Sequence, residues 1–155
     1  MILALVLALQ SGGLPPANPL PLTDPDAAGV MAPVNRMLAA IGARNSAAIL
    51  AEVRPDGGAT AAVERADGSR SVRRLTWAEF AGGIPPGPER LEERLTDVAV
   101  EIDGDIAMVW APYVFLADGK ARHCGVNHFD LLREGDRWRV LNVTWSQRTT
   151  GCALR

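Results

Sequence analysis

From Leu95 to Arg148 apolar and polar residues alternate along four stretches, separated by Asp103-Gly104, Asp118-Gly119 and Gly135-Asp136. Alternation with a period of two marks half-buried strands. Asp-Gly or Gly-Asp between apolar runs marks tight hairpin turns, whose positive φ angles suit these residues. The pattern predicts a four-stranded antiparallel meander. Upstream the period lengthens: Val30, Met31, Val34, Met37, Leu38 and Ile41 recur at helical spacing. This predicts a helix from near Asp26 that tolerates Pro33 in its early turns and stops at Gly42. A shorter helix is expected from Asn45, its cap, to Ala51. Pro55-Asp56-Gly57-Gly58 reads as a turn or loop, and Ala59–Arg65 with Ser69–Leu75 as a hairpin about Asp67-Gly68. Thr76–Ala81 suits a short helix with Thr76 as cap and Glu79 three residues on; residues 82–88 are a breaker-rich loop. Helices first and strands last predict one α+β domain over residues 26–152, with helices packed on one face of an antiparallel sheet.

The turns also predict who faces whom, provided each holds two residues and no strand carries a bulge. Glu134 then faces Arg137, Asn127 faces Thr144, His128 faces Val143 and Cys124 faces Gln147. Tyr113 faces Cys124, Val109 faces His128, and Val100 faces Ala107. One face collects Val100, Val109, Tyr113, Phe115, Cys124, His128, Val143 and Trp145, and is the expected core face. The other collects Trp110, His123, Asn127, Phe129, Leu131, Val140 and Thr144. A half-apolar outer face of this kind suits a homodimer interface.

Helices followed by this meander resemble the nuclear-transport-factor-2-like (NTF2-like) superfamily, which includes SnoaL-like polyketide cyclases and ketosteroid isomerases. The resemblance rests on Val100-Glu101-Ile102-Asp103-Gly104-Asp105-Ile106-Ala107-Met108-Val109-Trp110, on His123-Cys124-Gly125-Val126-Asn127-His128-Phe129-Asp130-Leu131, and on Arg137 to Trp145. Small bacterial members with this pattern are in many cases exported. The resemblance covers about Ala27 to Cys152. It implies a cone-shaped, curved antiparallel sheet with N-terminal helices on its concave face. It is more specific for fold than for function, because this fold hosts enzymes, ligand binders and assembly modules alike. The catalytic set of the steroid isomerases, a carboxylate with a Tyr and an acidic donor, has no residue-by-residue counterpart. The chain has a single Tyr, Tyr113, and the expected core face offers only Asp130 as a carboxylate.

Charge and the termini add context. A net charge of −2 leaves no electrostatic footprint for nucleic acid. Arg70, Arg73 and Arg74 cluster, but beside Glu64, Asp67 and Glu79, as on a solvated hairpin face. No charged side chain precedes Asp24, and Ile2–Leu9 is an unbroken apolar run, too short to span a bilayer, which takes about 20 residues. With the Pro-rich stretch after it, residues 1–22 match a secretory signal peptide without its basic start; a leader without structure or a short strand are the alternatives. The destination would be periplasmic or secreted, and otherwise cytoplasmic. Cys124 and Cys152, the only two cysteines, form a disulfide in an exported protein and remain thiols in the cytosol. Thr149-Thr150-Gly151 offers the turn that brings Cys152 back to Cys124. A zinc set of His123, Cys124 and Cys152 lacks a metal-ligand spacing, so no metal or cofactor is expected.

Candidate chemistry lies on the expected core face. His128 among Val109, Val143 and Trp145 is the candidate acid or base. Tyr113 aims a phenol at the same space, and Trp145 supplies a flat apolar wall. The polar row His123, Asn127 and Thr144 is expected outside, in solvent. Together these features imply a domain binding a small, partly apolar ligand in its cone through Tyr113, His128 and Trp145. The alternatives are a SnoaL-like enzyme using His128, or an assembly module whose cone is filled by Met31, Met37 and Phe80.

Overall fold

A computed structural model describes residues 25–152; the expected leader, residues 1–22, lies outside them. Helix α1 (Pro25–Gly42) and helix α2 (Ser46–Glu52) come first. The inward stripe of α1, from Ala27 through Val30, Val34 and Met37 to Ile41, is buried at helical spacing, so burial rather than propensity holds this helix. Pro33 sits about two turns inside α1, deeper than expected, where it removes one backbone hydrogen bond. Asn45 caps α2, its side chain accepting from the Ala48 N–H. Buried Glu52 at the end of α2 takes a two-pronged pair from Arg36, each contact 2.9 Å.

The strands are β1 (Val53–Glu64), β2 (Arg70–Thr76), β3 (Leu91–Leu95), β4 (Ala99–Asp103), β5 (Ile106–Ala117), β6 (Lys120–Glu134) and β7 (Arg137–Gln147), with α3 (Trp77–Gly82) between β2 and β3. They form one curved, unclosed sheet in the order β2-β1-β7-β6-β5-β3, and β4 pairs with the other half of β5. All pairs are antiparallel except β1 with β7, so the sheet is mixed at that one seam. Phe129, Leu131, Val140 and Val143 on the concave face pack with Val30, Val34 and Met37 of α1 and Trp77 of α3 in one apolar core. Thr76 and Glu79 form the expected capping box at the start of α3.

The register departs from the two-residue-turn expectation at four places. Ile106 pairs with Asp103, so the first hairpin turns on Gly104-Asp105 and Val100 faces Val109 instead of Ala107. Between β5 and β6, Leu116 pairs with Ala121 but Phe115 pairs with His123, leaving Arg122 as an extra residue. Between β6 and β7, Leu131 pairs with Val140 but Asp130 pairs with Asn142, leaving Leu141 extra. A bulge moves every residue beyond it to the opposite face. Phe129, Leu131, Asn127 and His123 therefore turn inward, while His128 turns outward opposite Trp110 and Thr144. Burial accounts for the choice: this phase sinks Phe129 and Leu131 to 1% exposure and leaves His128 and Asp130 partly in water. The fourth place is 54–57, which overlaps the turn or loop expected at 55–58. It is a bulge inside β1, four residues set against Leu141 alone. A Cβ on Gly57 would run into the Leu141 carbonyl, which also accepts from the Trp77 indole at 3.2 Å.

Candidate functional site

β3 was not expected as a strand, and it brings the cone its carboxylate. Leu91-Glu92-Glu93-Arg94-Leu95 is too charged to read as a strand, yet alternation puts Leu91, Glu93 and Leu95 on one side. Glu93 pairs with Phe115, and Phe115 with His123, so the three stand in one row across β3, β5 and β6. The next inward position on β6 is Gly125, opposite Tyr113, and the one after is Asn127, opposite Ala111 and Trp145.

These residues surround a cavity of about 320 Å³ between the helices and the concave face. Met37, Leu38 and Ile41 of α1 and Phe80 of α3 form one wall; Phe115, Phe129, Val143 and Trp145 of the sheet form the other. Met37 and Phe80 thus line the cone without filling it. Phe80 meets Trp77 and Trp145 edge-on, with centroids 5.8 and 5.9 Å apart. Arg73 and Glu79 stand at the exposed mouth, where the Glu79 carboxylate is taken up by the Thr76 N–H and hydroxyl.

Two polar pairs interrupt the apolar wall. The Asn127 amide donates to Glu93 Oε1 at 2.7 Å. Glu93 keeps some accessible surface, and its carboxyl stands deep among protein atoms. Burial pushes its pKa up to about 7 against the opposing hydrogen bond from Asn127. The second pair is Tyr113 Oη and His123 Nδ1, 3.1 Å apart, and the phenol also donates to the Ser146 carbonyl at 3.2 Å. The imidazole lies flat on Phe115, centroids 4.7 Å apart and planes within 2°. Burial lowers the His123 pKa, which favours the neutral ring. Burial, followed by the charge of Glu93, raises that of Tyr113, which keeps its proton. A carboxyl that changes state near neutrality and a neutral imidazole thus face one apolar space.

The residues expected from the sequence are divided between two faces. Tyr113 and Trp145 line the cavity. His128 does not: on the convex face its Nε2 is 3.4 Å from Asp130 Oδ1 and its ring 5.9 Å from Trp110, which is 49% exposed. Asp130, expected as the core-face carboxylate, is outside with it. Glu93, His123 and Asn127 take the inward positions instead. Glu93 had a readable signal in the Leu-x-Glu-x-Leu alternation; His123 and Asn127 had none, because a single bulged residue at 122 decides their side. Cys124 and Cys152 are joined in a disulfide, Cα atoms 5.5 Å apart, beside a backbone bridge in which Cys124 faces Arg148, not Gln147.

A curved sheet cupping an aromatic cone, with N-terminal helices across its concave face, defines an α+β pocket domain. Among solved structures it is similar to an NTF2-like protein of unknown function from Pseudomonas putida, at 20% identity over 78% of this chain and 87% of that one, TM-score 0.58. An NTF2-like protein with a cystatin-like fold from Novosphingobium aromaticivorans aligns at 15% identity over 83% and 84%, TM-score 0.61. A protein of the same species, provisionally named a scytalone dehydratase, aligns at 10% identity over 84% and 89%, TM-score 0.63. The chain has the NTF2-like fold. No protein-family model matches it, and no curated protein matches it in sequence.

Proposed function

We propose that residues 26–152 form a single exported domain that binds a small, partly apolar molecule in the cone, with residues 1–22 as its signal peptide. One observation carries this reading: an aromatic-walled cavity of about 320 Å³ in which Glu93–Asn127 and Tyr113–His123 converge. Ligand sites are mostly apolar concavities with a few placed polar groups, and volumes from about 300 Å³ suit small ligands. A disulfide between Cys124 and Cys152 fits the oxidising compartment that export implies. No described helix is long and apolar enough to cross a membrane.

Native mass spectrometry of protein purified from its own host, beside a reduced and denatured mass, tests this. The expected result is a small molecule released on denaturation and a mass lacking the leader. A clean apo mass from several preparations would sink the binder, and an intact leader would sink export.

A second reading has its own support, the Glu93 carboxyl and His123 imidazole on opposite ends of one row. It is an isomerase- or cyclase-type enzyme in which His123, in place of His128, serves as acid or base. The provisional name of one structural neighbour belongs to an enzyme and lends this reading a direction, no more. Once a substrate is known, full turnover by His123→Ala ends it.

We also propose that two copies pair through the convex face. Trp110 and Ile106 stand there 49% and 57% exposed, flanked by the half-buried Met108 and Leu132. Sedimentation is expected to give a dimer for the native chain and a monomer for Trp110→Glu; two monomers would exclude the interface.

A further inference from the structure

The geometry assigns the His123 imidazole to the tautomer with its proton on Nδ1, and we infer that its bare Nε2 selects ligands carrying an acidic O–H on a flat ring, a phenol or an enol. The inference rests on the ligand-binding reading above and names the chemistry of that same cavity.

The assignment follows from counting protons. Tyr113 Oη has two partners, the Ser146 carbonyl at 3.2 Å and His123 Nδ1 at 3.1 Å. A carbonyl oxygen only accepts, so the phenol's single proton goes to Ser146. The phenol oxygen is then an acceptor toward the ring, and Nδ1 must supply the other proton. A neutral imidazole has only one such proton, which leaves Nε2 with a lone pair. The hydrogen bond at one ring nitrogen thereby sets the role of the other.

Position makes the lone pair useful. The Nδ1 edge of His123 is taken by Tyr113, and one face of the ring is covered by Phe115. Nε2 has no hydrogen-bond partner among the described residues, and His123 is part of the cavity wall. A group in the cavity that donates to Nε2 meets an acceptor already oriented, so little freedom is lost on binding. The walls around it are aromatic, Phe80, Phe115 and Trp145, and accept a flat ring. Phenols and enols combine the flat ring with a strong O–H donor; ethers of the same ring do not donate.

The full chain is titrated calorimetrically with 2-naphthol and with 2-methoxynaphthalene, which shares the ring but lacks the donor. The ether is the more apolar of the two, so burial alone favours it. Naphthol is expected to bind about three- to tenfold more tightly, the worth of one net hydrogen bond. In His123→Phe, which keeps an aromatic ring on Phe115, the ratio of the two affinities is expected to lose its preference for naphthol. Nitrogen-15 spectra of the unliganded native chain are expected to show Nδ1 protonated and Nε2 bare. Equal affinities for naphthol and ether, or a proton on Nε2, overturn the inference and leave the ligand-binding reading standing. Saturable binding of neither compound counts against both.

Discussion

Glu93 is the residue whose ionisation this fold resists most visibly. Its carboxyl is held near 7 by burial, above the 4.5 of a free glutamate. Between these values the folded state binds more protons than the unfolded state, so this group's contribution to stability falls as pH rises from about 4.5 to about 7. Below that window the neutral acid costs nothing; above it the full penalty applies, on the order of 3 kcal/mol. Glu93→Gln keeps an acceptor for the Asn127 amide and cannot ionise. It is expected to melt higher than the native chain at pH 8 and to match it near pH 4.5. Parallel melting curves across that range would refute the burial of this carboxyl. Tyr113→Phe removes the phenol that links His123 to the Ser146 carbonyl. Stranding these partners is expected to cost about 1–3 kcal/mol in urea unfolding, and a loss within error would mean water replaces the hydroxyl without penalty. At this scale the sequence was partly legible. Tyr113 and Trp145 were readable because they lie on β5 and β7 in the apolar phase. His128 and His123 exchanged sides because one extra residue in β6 outweighs any preference either imidazole has.

Among the elements, the ends of β6 and β7 are where backbone proximity decides most. A Cβ on Gly125 would collide with the Ser146 carbonyl oxygen, the same oxygen that accepts from Tyr113. Gly125→Ala must push the strands apart there, with an expected loss of about 1–3 kcal/mol in chemical denaturation. The same change is expected to disturb His123 more than Glu93, measurable as shifted imidazole resonances with an unmoved Asn127 amide. An unchanged His123 signal would separate the glycine from the site. Helices α1, α2 and α3 were legible within a residue or two because a stripe, a cap and a capping box are local signals. β3 was not, since its strand identity comes from pairing with Leu116 and its neighbours on β5, and its own composition argues against it. The bulge at 54–57 hid for a related reason. Pro-Asp-Gly-Gly carries every mark of a turn, and only the close passage of β7 keeps it in the sheet.

For the molecule as a whole, the disulfide ties the end of the described chain to the first third of β6, closing a separation of 28 residues. Loop-closure arguments give about 3–4 kcal/mol for such a bridge. Reduction is therefore expected to lower the urea midpoint by that equivalent, with both forms compared at fixed pH; coincident curves would mean the tail contributes nothing. The bridge also clamps the Cys124–Arg148 pairing next to His123, so the reduced chain is expected to lose hydrogen-exchange protection there first. The sequence by itself determined the fold class, the order of helices and meander, and the hairpin turns at Asp118-Gly119 and Gly135-Asp136. These are written in local periodicity and in turn chemistry; the two cysteines it left as a bridge or as thiols, according to compartment. Only the tertiary structure decided which residues face the cone. Strand phase has a period of two, so one bulged residue at 122 and another at 141 reverse every side chain beyond them. Those bulges are chosen by the burial of Phe129 and Leu131 against the helices, a contact between distant segments that no local pattern records.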